Sequence, residues 1–271
     1  MINLTHFLLF LSTTGAFTFS WNSQASYQNN ISGAGGIVSP SGVTALGENP
    51  AGLVYNKKTI LSTGVTRGTS SSTFGYGGGI FTGNGDVGGG VSLTGFNSHS
   101  GSPGNVLLLN YGIGINLSGG DFAFGVTGTT TLLEKGEIEG TGTSTTWCAD
   151  AGIIINPNGR NQWGISVFQL LADVIAVGVG YGTRVGQNAT FVVDTVYTKP
   201  SSTYLVKPGI KAHWSSFQLE LSYGQRVLGS GWTWISSGPT VGAGLSVGNN
   251  LALTGYINHI AKVYVGLEAR L

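Results

Sequence analysis

Charged residues are scarce in this sequence, at 8% of 271 residues, whereas a soluble domain carries about 25%. The 12 basic and 11 acidic residues almost cancel, to a net charge of +1, so the chain has no basic surface for nucleic acid. A water-exposed surface is difficult to build from so few charges. The chain is also too apolar for disorder, since 41% of its residues are hydrophobic and 10% are aromatic.

Long hydrophobic runs and clustered metal ligands are missing as well. No stretch after residue 20 reaches the ~18 apolar residues of a transmembrane helix. The single cysteine, Cys148, supports neither a disulfide nor a metal cluster. His99, His213 and His259 lie on different predicted strands or loops, and "GNGDVG" at 83–88 predicts a turn and a strand rather than a nucleotide loop. We therefore expect no enzyme, no cofactor and no metal. A membrane protein without membrane helices is a closed β-barrel.

The N-terminus resembles an export signal. "FLLFLSTTGAF" from Phe7 to Phe17 is an apolar run of signal-peptide length, too short to span a membrane. Residues 1–25 are predicted as the signal, with cleavage after Ser20 or Ala25. The alternative is a hydrophobic first strand or helix of the mature fold.

Alternation of apolar and polar residues predicts barrel strands, and it is strictest in the final segment "KVYVGLEARL". Val263, Val265, Leu267, Ala269 and Leu271 form an apolar face that we assign to lipid, and the residues between them face the lumen. The chain ends on a lipid-facing residue, which resembles the C-terminal signal read by the barrel-insertion machinery. The expected partners are therefore outer-membrane lipid and that machinery.

The connections between these segments alternate in length. Short Gly- and Asn-rich turns are expected at 82–86, 118–121, 156–160, 186–188, 215–216 and 248–250, with longer connections at 96–105, 134–144 and 226–234. Outer-membrane barrels have short periplasmic turns and longer external loops. The pattern predicts an all-β, antiparallel transmembrane barrel at 57–271, with about 14 strands and both termini periplasmic. A barrel of 12 strands is the alternative.

Residues 26–56 precede the first predicted strand and do not alternate. They contain Gly33 to Gly36 and then "NPAG", which is Asn49, Pro50, Ala51 and Gly52. Here the sequence resembles the outer-membrane transporters of the FadL/TodX type, which take up long-chain fatty acids and aromatic hydrocarbons. In that family a Gly-rich segment and an Asn-Pro-Ala motif precede the first strand.

The resemblance implies that residues 26–56 form a hatch inside the barrel, anchored by Asn49, Pro50, Ala51 and Gly52. Pro50 restricts the backbone, Asn49 can bond unpaired backbone groups, and Gly52 permits close approach. An ordinary periplasmic turn is the alternative. The inward-facing glycines Gly112, Gly114, Gly178, Gly180, Gly182, Gly242 and Gly244 either leave space for a hatch or ligand, or relieve strain where the sheet bends.

Six charged residues are the candidate lumen contacts: Arg184, Asp194, Lys207, Lys211, Glu220 and Arg226. One interpretation is a ladder of ion pairs that stiffens the wall, and the other is a polar contact for a substrate carboxylate. Two functions follow. The chain transports small hydrophobic molecules across the outer membrane of a Gram-negative bacterium, or it is a structural or assembly barrel that docks other proteins and conducts nothing. Transporters of the family that the sequence resembles carry large external loops, so the short external connections here put high-affinity capture of fatty acids in question.

Overall fold

The computed structural model describes residues 34–38, 40, 43–68, 74–97, 105–135, 147–170, 175–199, 202–229, 238–248, 250–258 and 262–271. Its wall is one closed antiparallel sheet in which each strand pairs with its sequence neighbours and β1 pairs with β14. The predicted 14 strands are confirmed, and the 12-stranded alternative is wrong. The strands are β1 Ile60–Gly68, β2 Phe74–Gly83, β3 Val87–Asn97, β4 Asn105–Leu117, β5 Phe122–Lys135, β6 Trp147–Ile155, β7 Asn161–Phe168, β8 Ile175–Val185, β9 Ala189–Lys199, β10 Thr203–Trp214, β11 Phe217–Leu228, β12 Gly238–Val247, β13 Leu251–Asn258 and β14 Lys262–Arg270.

The six short turns predicted from Gly and Asn all connect strands at one end of the barrel, which we call the short-turn end. Gly119, Gly186 and Gly248 have positive φ there, the conformation that glycine adopts without strain. The first residue of β1 and the last residue of β14 also lie at this end, because Ile60 pairs with Arg270. The three longer predicted connections lie at the opposite end.

The two faces of the wall differ as the alternation predicts. Outward-facing Val265 and Leu267 of β14 are exposed, whereas Gly266 between them is buried. The same two-residue period recurs in β8 and β9, where the outward Val177 and Phe191 are exposed. A closed sheet with an apolar outer face is the form in which β-strands cross lipid, since no strand edge is left unpaired.

Within the described ranges, two short helices precede the wall: α1 at Val43–Gly47 and a 3₁₀ helix at Pro50–Tyr55. Ala45 and Leu46 of α1 are buried, as are the first five residues of the 3₁₀ helix, which contacts β2, β3, β4, β5 and β6. Among the described residues, no helix is long and apolar enough to cross a membrane.

Replacing an outward-facing residue in the middle of a strand by a cationic residue tests which face of the wall contacts lipid. Leu267 is 46% exposed near the centre of β14. An arginine there costs about 2–4 kcal/mol at the bilayer midplane. We expect Leu267→Arg to lower the yield of folded barrel in membranes, whereas inward-facing Glu268→Gln retains it. Heat-modifiable mobility on gels measures this, and equal yields of the two variants would contradict the facing.

Candidate functional site

The N-terminal segment, defined here as residues 34–56, is the main candidate for a functional element. Asn49 is the N-cap of the 3₁₀ helix, with extended backbone angles (φ −154°, ψ 102°) of the kind that a following proline favours. The side chain of Asn49 accepts a hydrogen bond of 3.2 Å from the N–H of Ala51. Gly52 packs on Pro40, so a Cβ at position 52 would lie 2.7 Å from the Pro40 carbonyl oxygen. The motif residues therefore build a compact turn: Asn49 caps the 3₁₀ helix, the following proline favours the extended backbone of Asn49, and Gly52 allows close packing on Pro40.

Asn49 also joins this turn to the barrel wall. Its side-chain nitrogen lies 2.7 Å from the carbonyl oxygen of Ile37, 3.0 Å from that of Ile153 and 3.3 Å from that of Ile165. Ile153 and Ile165 are paired residues of β6 and β7. The side chain is fully buried, so removing its amide would delete these hydrogen bonds between the turn and the wall, and a buried polar group that loses its partner costs about 1–3 kcal/mol.

Inward-facing glycines form the surface on which the N-terminal segment packs. We call this set the glycine socket. A Cβ added to Gly125 would overlap the backbone of Pro50, one at Gly152 would overlap the Asn49 side chain, and one at Gly164 would overlap the carbonyl of Ile37. The socket takes at least one glycine from each of eight strands, among them Gly83 of β2, Gly88 of β3, Gly114 of β4, Gly125 of β5, Gly152 of β6, Gly164 of β7, Gly180 of β8 and Gly209 of β10.

The lumen glycines predicted from sequence divide into two groups. Gly178, Gly180 and Gly182 of β8 lie against Ile37 and Val38, and a Cβ at Gly178 would be 2.5 Å from Ile37 Cδ1. Gly112 and Gly114 of β4 lie against Leu46 and the 3₁₀ helix. Gly242 and Gly244 of β12 have no neighbour from the N-terminal segment among their nearest atoms.

A buried group of charges surrounds Lys207. Its side chain interacts electrostatically with Glu48 of the N-terminal segment, with Asp194 of β9 and with Glu220 of β11. Lys211 of β10 lies 3.9 Å from Glu220. The four residues Glu48, Asp194, Lys207 and Glu220 are each at most 4% exposed. Because buried charges are costly without partners, this ionic cluster depends on all of its members.

The ionic cluster also receives backbone groups of the N-terminal segment. The N–H of Ala34 donates to Glu220 Oε2 at 3.1 Å, and the N–H groups of Gly36 and Ile37 donate to the carboxylate of Asp194. Charge-assisted bonds of this kind are about twice as strong as neutral ones. The carboxylates of Asp194 and Glu220 thus bind backbone N–H groups of the N-terminal segment in addition to pairing with the lysines.

The two predicted arginines are exposed near opposite ends of the barrel. Arg184 is at the short-turn end of β8, and Arg226 is near the opposite end of β11. The strand register places Arg184 level with Lys211, through Thr190 of β9. It pairs Arg226 with Leu205, two residues before Lys207. Their role as lumen contacts stays a prediction.

Glu48 is the functional residue that sequence reasoning missed. It directly precedes the Asn-Pro-Ala-Gly motif, is 2% exposed, and its backbone oxygen accepts a hydrogen bond of 2.6 Å from Ser166 of β7. One carboxylate within an otherwise uncharged, Gly-rich segment was the available signal, since such a group inside a barrel requires a cationic partner.

A cavity of about 740 Å³ lies in the lumen beside the N-terminal segment. The segment borders it through Ala34, Gly36 and Glu48, and the wall borders it with residues of β1, β2, β3 and β10 to β14. It reaches Ser215 and Ser216 in the β10–β11 turn, so it extends to the short-turn end.

An apolar cluster lies on the opposite side of the segment. Ile37 packs there with Phe168, Ala176, Val196 and Leu205, and each of these side chains is at most 1% exposed. Phe168 ends β7, Ala176 follows the first residue of β8, and Leu205 is near the start of β10. The cluster therefore lies toward the end with the longer connections. Within the described residues, no group of three or more His, Cys, Asp or Glu side chains is placed to hold a metal ion.

Comparison with known proteins adds structural relatives. No protein-family model matches the sequence, and no curated protein matches it. The solved structure of a TodX deltaS2S3 mutant, a monoaromatic hydrocarbon channel, is similar with a TM-score of 0.61 at 10% identity, covering 90% of this chain and 97% of that one. The toluene transporters TbuX of Ralstonia pickettii and TodX of P. putida each give a TM-score of 0.60 at 10% identity, covering 90% of this chain and 100% and 99% of theirs. At this identity the likeness concerns architecture, and the chain shares the barrel fold of these hydrocarbon channels.

Proposed function

We propose that this protein is an outer-membrane channel for small hydrophobic molecules and that residues 26–56 form its hatch, of which 34–38, 40 and 43–56 are described. The observation that carries the proposal is the glycine socket. Eight strands omit a side chain where the N-terminal segment contacts them. A barrel that needed only a spacer before its first strand would have no reason for this fit.

We assign the short-turn end and both termini to the periplasm, as in other outer-membrane barrels. Tags inserted at Ser100 and Gly140, which lie outside the described residues in the β3–β4 and β5–β6 connections, should be labelled on intact cells. A tag at Asn158, in the β6–β7 turn at the short-turn end, should be labelled only after permeabilisation. Labelling of Asn158 on intact cells would reverse the assigned orientation.

The apolar cluster around Ile37 supports a hydrophobic substrate. In the proposed orientation it lies toward the cell exterior, where Phe168, Val196 and Leu205 are buried against Ile37 of the hatch. Movement of Ile37 away from the wall would expose these apolar side chains to a molecule entering from that end, as expected for a site that selects hydrophobic compounds.

The ionic cluster favours an uncharged substrate over a carboxylate. Lys207 and Lys211 already face Glu48, Asp194 and Glu220. A fatty-acid head group would have to displace one of these buried carboxylates at a cost of several kcal/mol. The structural relatives are described as monoaromatic hydrocarbon and toluene channels, and an aromatic hydrocarbon is the substrate class that we propose.

Uptake by intact cells tests this function. Gram-negative cells without a hydrocarbon channel of their own should take up radiolabelled toluene faster when they express the protein, with little change for oleate. Phe168→Asp, which puts a charge into the apolar cluster, should reduce toluene uptake, while outward-facing Ile165→Val retains it. Uptake no faster than in cells with an empty vector, despite a correctly assembled barrel, would reject transport and favour the structural or assembly barrel.

A further inference from the structure

The cavity beside the hatch has a lining that differs from the proposed hydrophobic route. Its inward-facing residues contain no aliphatic side chain larger than alanine in the described part of the chain. Ser62 and Thr66 of β1, Gly244 and Ser246 of β12, and Thr254 of β13 are representative. Pockets for hydrophobic ligands are lined mainly by apolar and aromatic side chains, whereas hydroxyl groups and charged groups make up much of the inward-facing lining here.

The hatch occupies the lumen unevenly. Its described residues contact the glycine socket on β2 to β8 and on β10, and Ala34 reaches Glu220 of β11. On β1 they pack against the first residue, Ile60. The arc formed by β12, β13, β14 and the rest of β1 faces the cavity instead.

Two tyrosines on this arc lie flat against the wall. The ring of Tyr264 covers Gly64 of β1, where a Cβ would be 2.6 Å from the tyrosine oxygen, and the ring of Tyr256 covers Gly242 of β12. Any larger residue at position 64 or 242 would push a ring away from the sheet and into the cavity. These glycines keep the cavity wide rather than accommodating the hatch.

Charged groups of both signs line the cavity at different depths. Glu268 and Arg270 lie 4.0 Å apart near the short-turn end, and Lys211 and Glu220 lie 3.9 Å apart beside the hatch. Mixed charges and hydroxyl groups attract water and small ions of either sign, as along a pore lined by hydrogen-bonding groups.

We infer that this cavity is a second, water-filled route for ions and small polar solutes, separate from the hydrophobic route and open while the hatch is in place. It extends from Ser215 and Arg270 at the short-turn end to Thr66 and Gly75 near the opposite ends of β1 and β2. Hydrophobic molecules and small polar solutes would then pass on different sides of one hatch.

Conductance of the purified full chain in planar bilayers with potassium chloride tests the inference. The wild-type protein should show a small, steady conductance, and Thr254→Trp should reduce it at least about threefold by filling the passage. Leu253→Trp, the neighbouring residue on the lipid-facing side, is the matched control and should conduct like the wild type. A wild-type barrel that does not conduct, or a Thr254→Trp barrel that conducts as well as the control, would overturn the inference.

A second measurement tests the inference even if the Thr254→Trp variant does not fold. Thr254→Cys, in a Cys148→Ser background, should react with a positively charged methanethiosulfonate reagent and lose conductance as the adduct fills the passage. Absence of reaction, or reaction without loss of conductance, would likewise overturn the inference. Toluene uptake does not enter either test, so the polar route and the hydrophobic route are judged separately.

Discussion

Deletion of residues 26–56 is expected to leave a folded barrel whose conductance exceeds that of the wild type by at least about tenfold, because an unfilled barrel of this size encloses an aqueous channel. The wall can stand alone because its 14 strands close on each other and supply their own hydrogen bonds. The inner surface left behind is rich in glycine, so few side chains would obstruct the lumen. Single-channel recording in planar bilayers measures the change.

The deletion should also lower thermal stability, since it strips Phe81 and Leu205 of their partners Leu53 and Ile37 and leaves Lys207 without Glu48. Heat-modifiable mobility provides the check on folding. A deletion barrel that is folded but conducts no more than the parent would show that the segment is not a hatch. The Asn-Pro-Ala-Gly motif would then be only a turn before β1.

Gly125→Leu should open the barrel without removing any of the hatch. A Cβ at position 125 overlaps the Pro50 carbonyl carbon, and backbone cannot yield as a flexible side chain does. Overpacking of this kind costs about 1–3 kcal/mol or more, and the least costly response is displacement of the 3₁₀ helix from β5. We expect conductance to rise several-fold above the wild-type level, toward that of the deletion, as measured in the same bilayers.

Val126→Leu is the matched control, since Val126 is the next residue of β5 and faces outward. A larger aliphatic side chain there enters lipid and should leave conductance unchanged. The conductance of Gly125→Ala should lie between those of Gly125→Leu and Val126→Leu, because alanine adds only the clashing Cβ. If Gly125→Leu conducts like Val126→Leu while both barrels fold, the socket does not hold the hatch.

The barrel wall could be predicted from the sequence because its two signals are local. Alternation in segments such as "KVYVGLEARL" and turn residues such as Gly186 and Gly248 are readable within about ten residues. The closed 14-stranded sheet and its lipid-facing residues followed from these signals.

The contacts inside the lumen could not be predicted in the same way, because they join residues far apart in the chain. Asn49 bonds Ile153 and Ile165 across more than 100 residues, and no periodicity encodes such pairs. Alternation placed Arg184 and Arg226 on the inward face but did not predict that both side chains are exposed near the ends of their strands. The place of Glu48 in the ionic cluster could be predicted only with knowledge of where the N-terminal segment packs.

A disulfide between the hatch and the wall tests the central claim most directly. A Cβ at Gly182 of β8 would lie 3.4 Å from Val38 Cγ1, the position that a cysteine sulfur can take at residue 38, so cysteines at these two positions are close enough to form a disulfide. In a Cys148→Ser background, Val38→Cys with Gly182→Cys should form a cross-link in cells that mass spectrometry detects, whereas Val38→Cys with Gly244→Cys, on the far arc of the barrel, should not. Failure of the first pair to cross-link in a folded barrel, or equal cross-linking of both pairs, would contradict a hatch seated against β8.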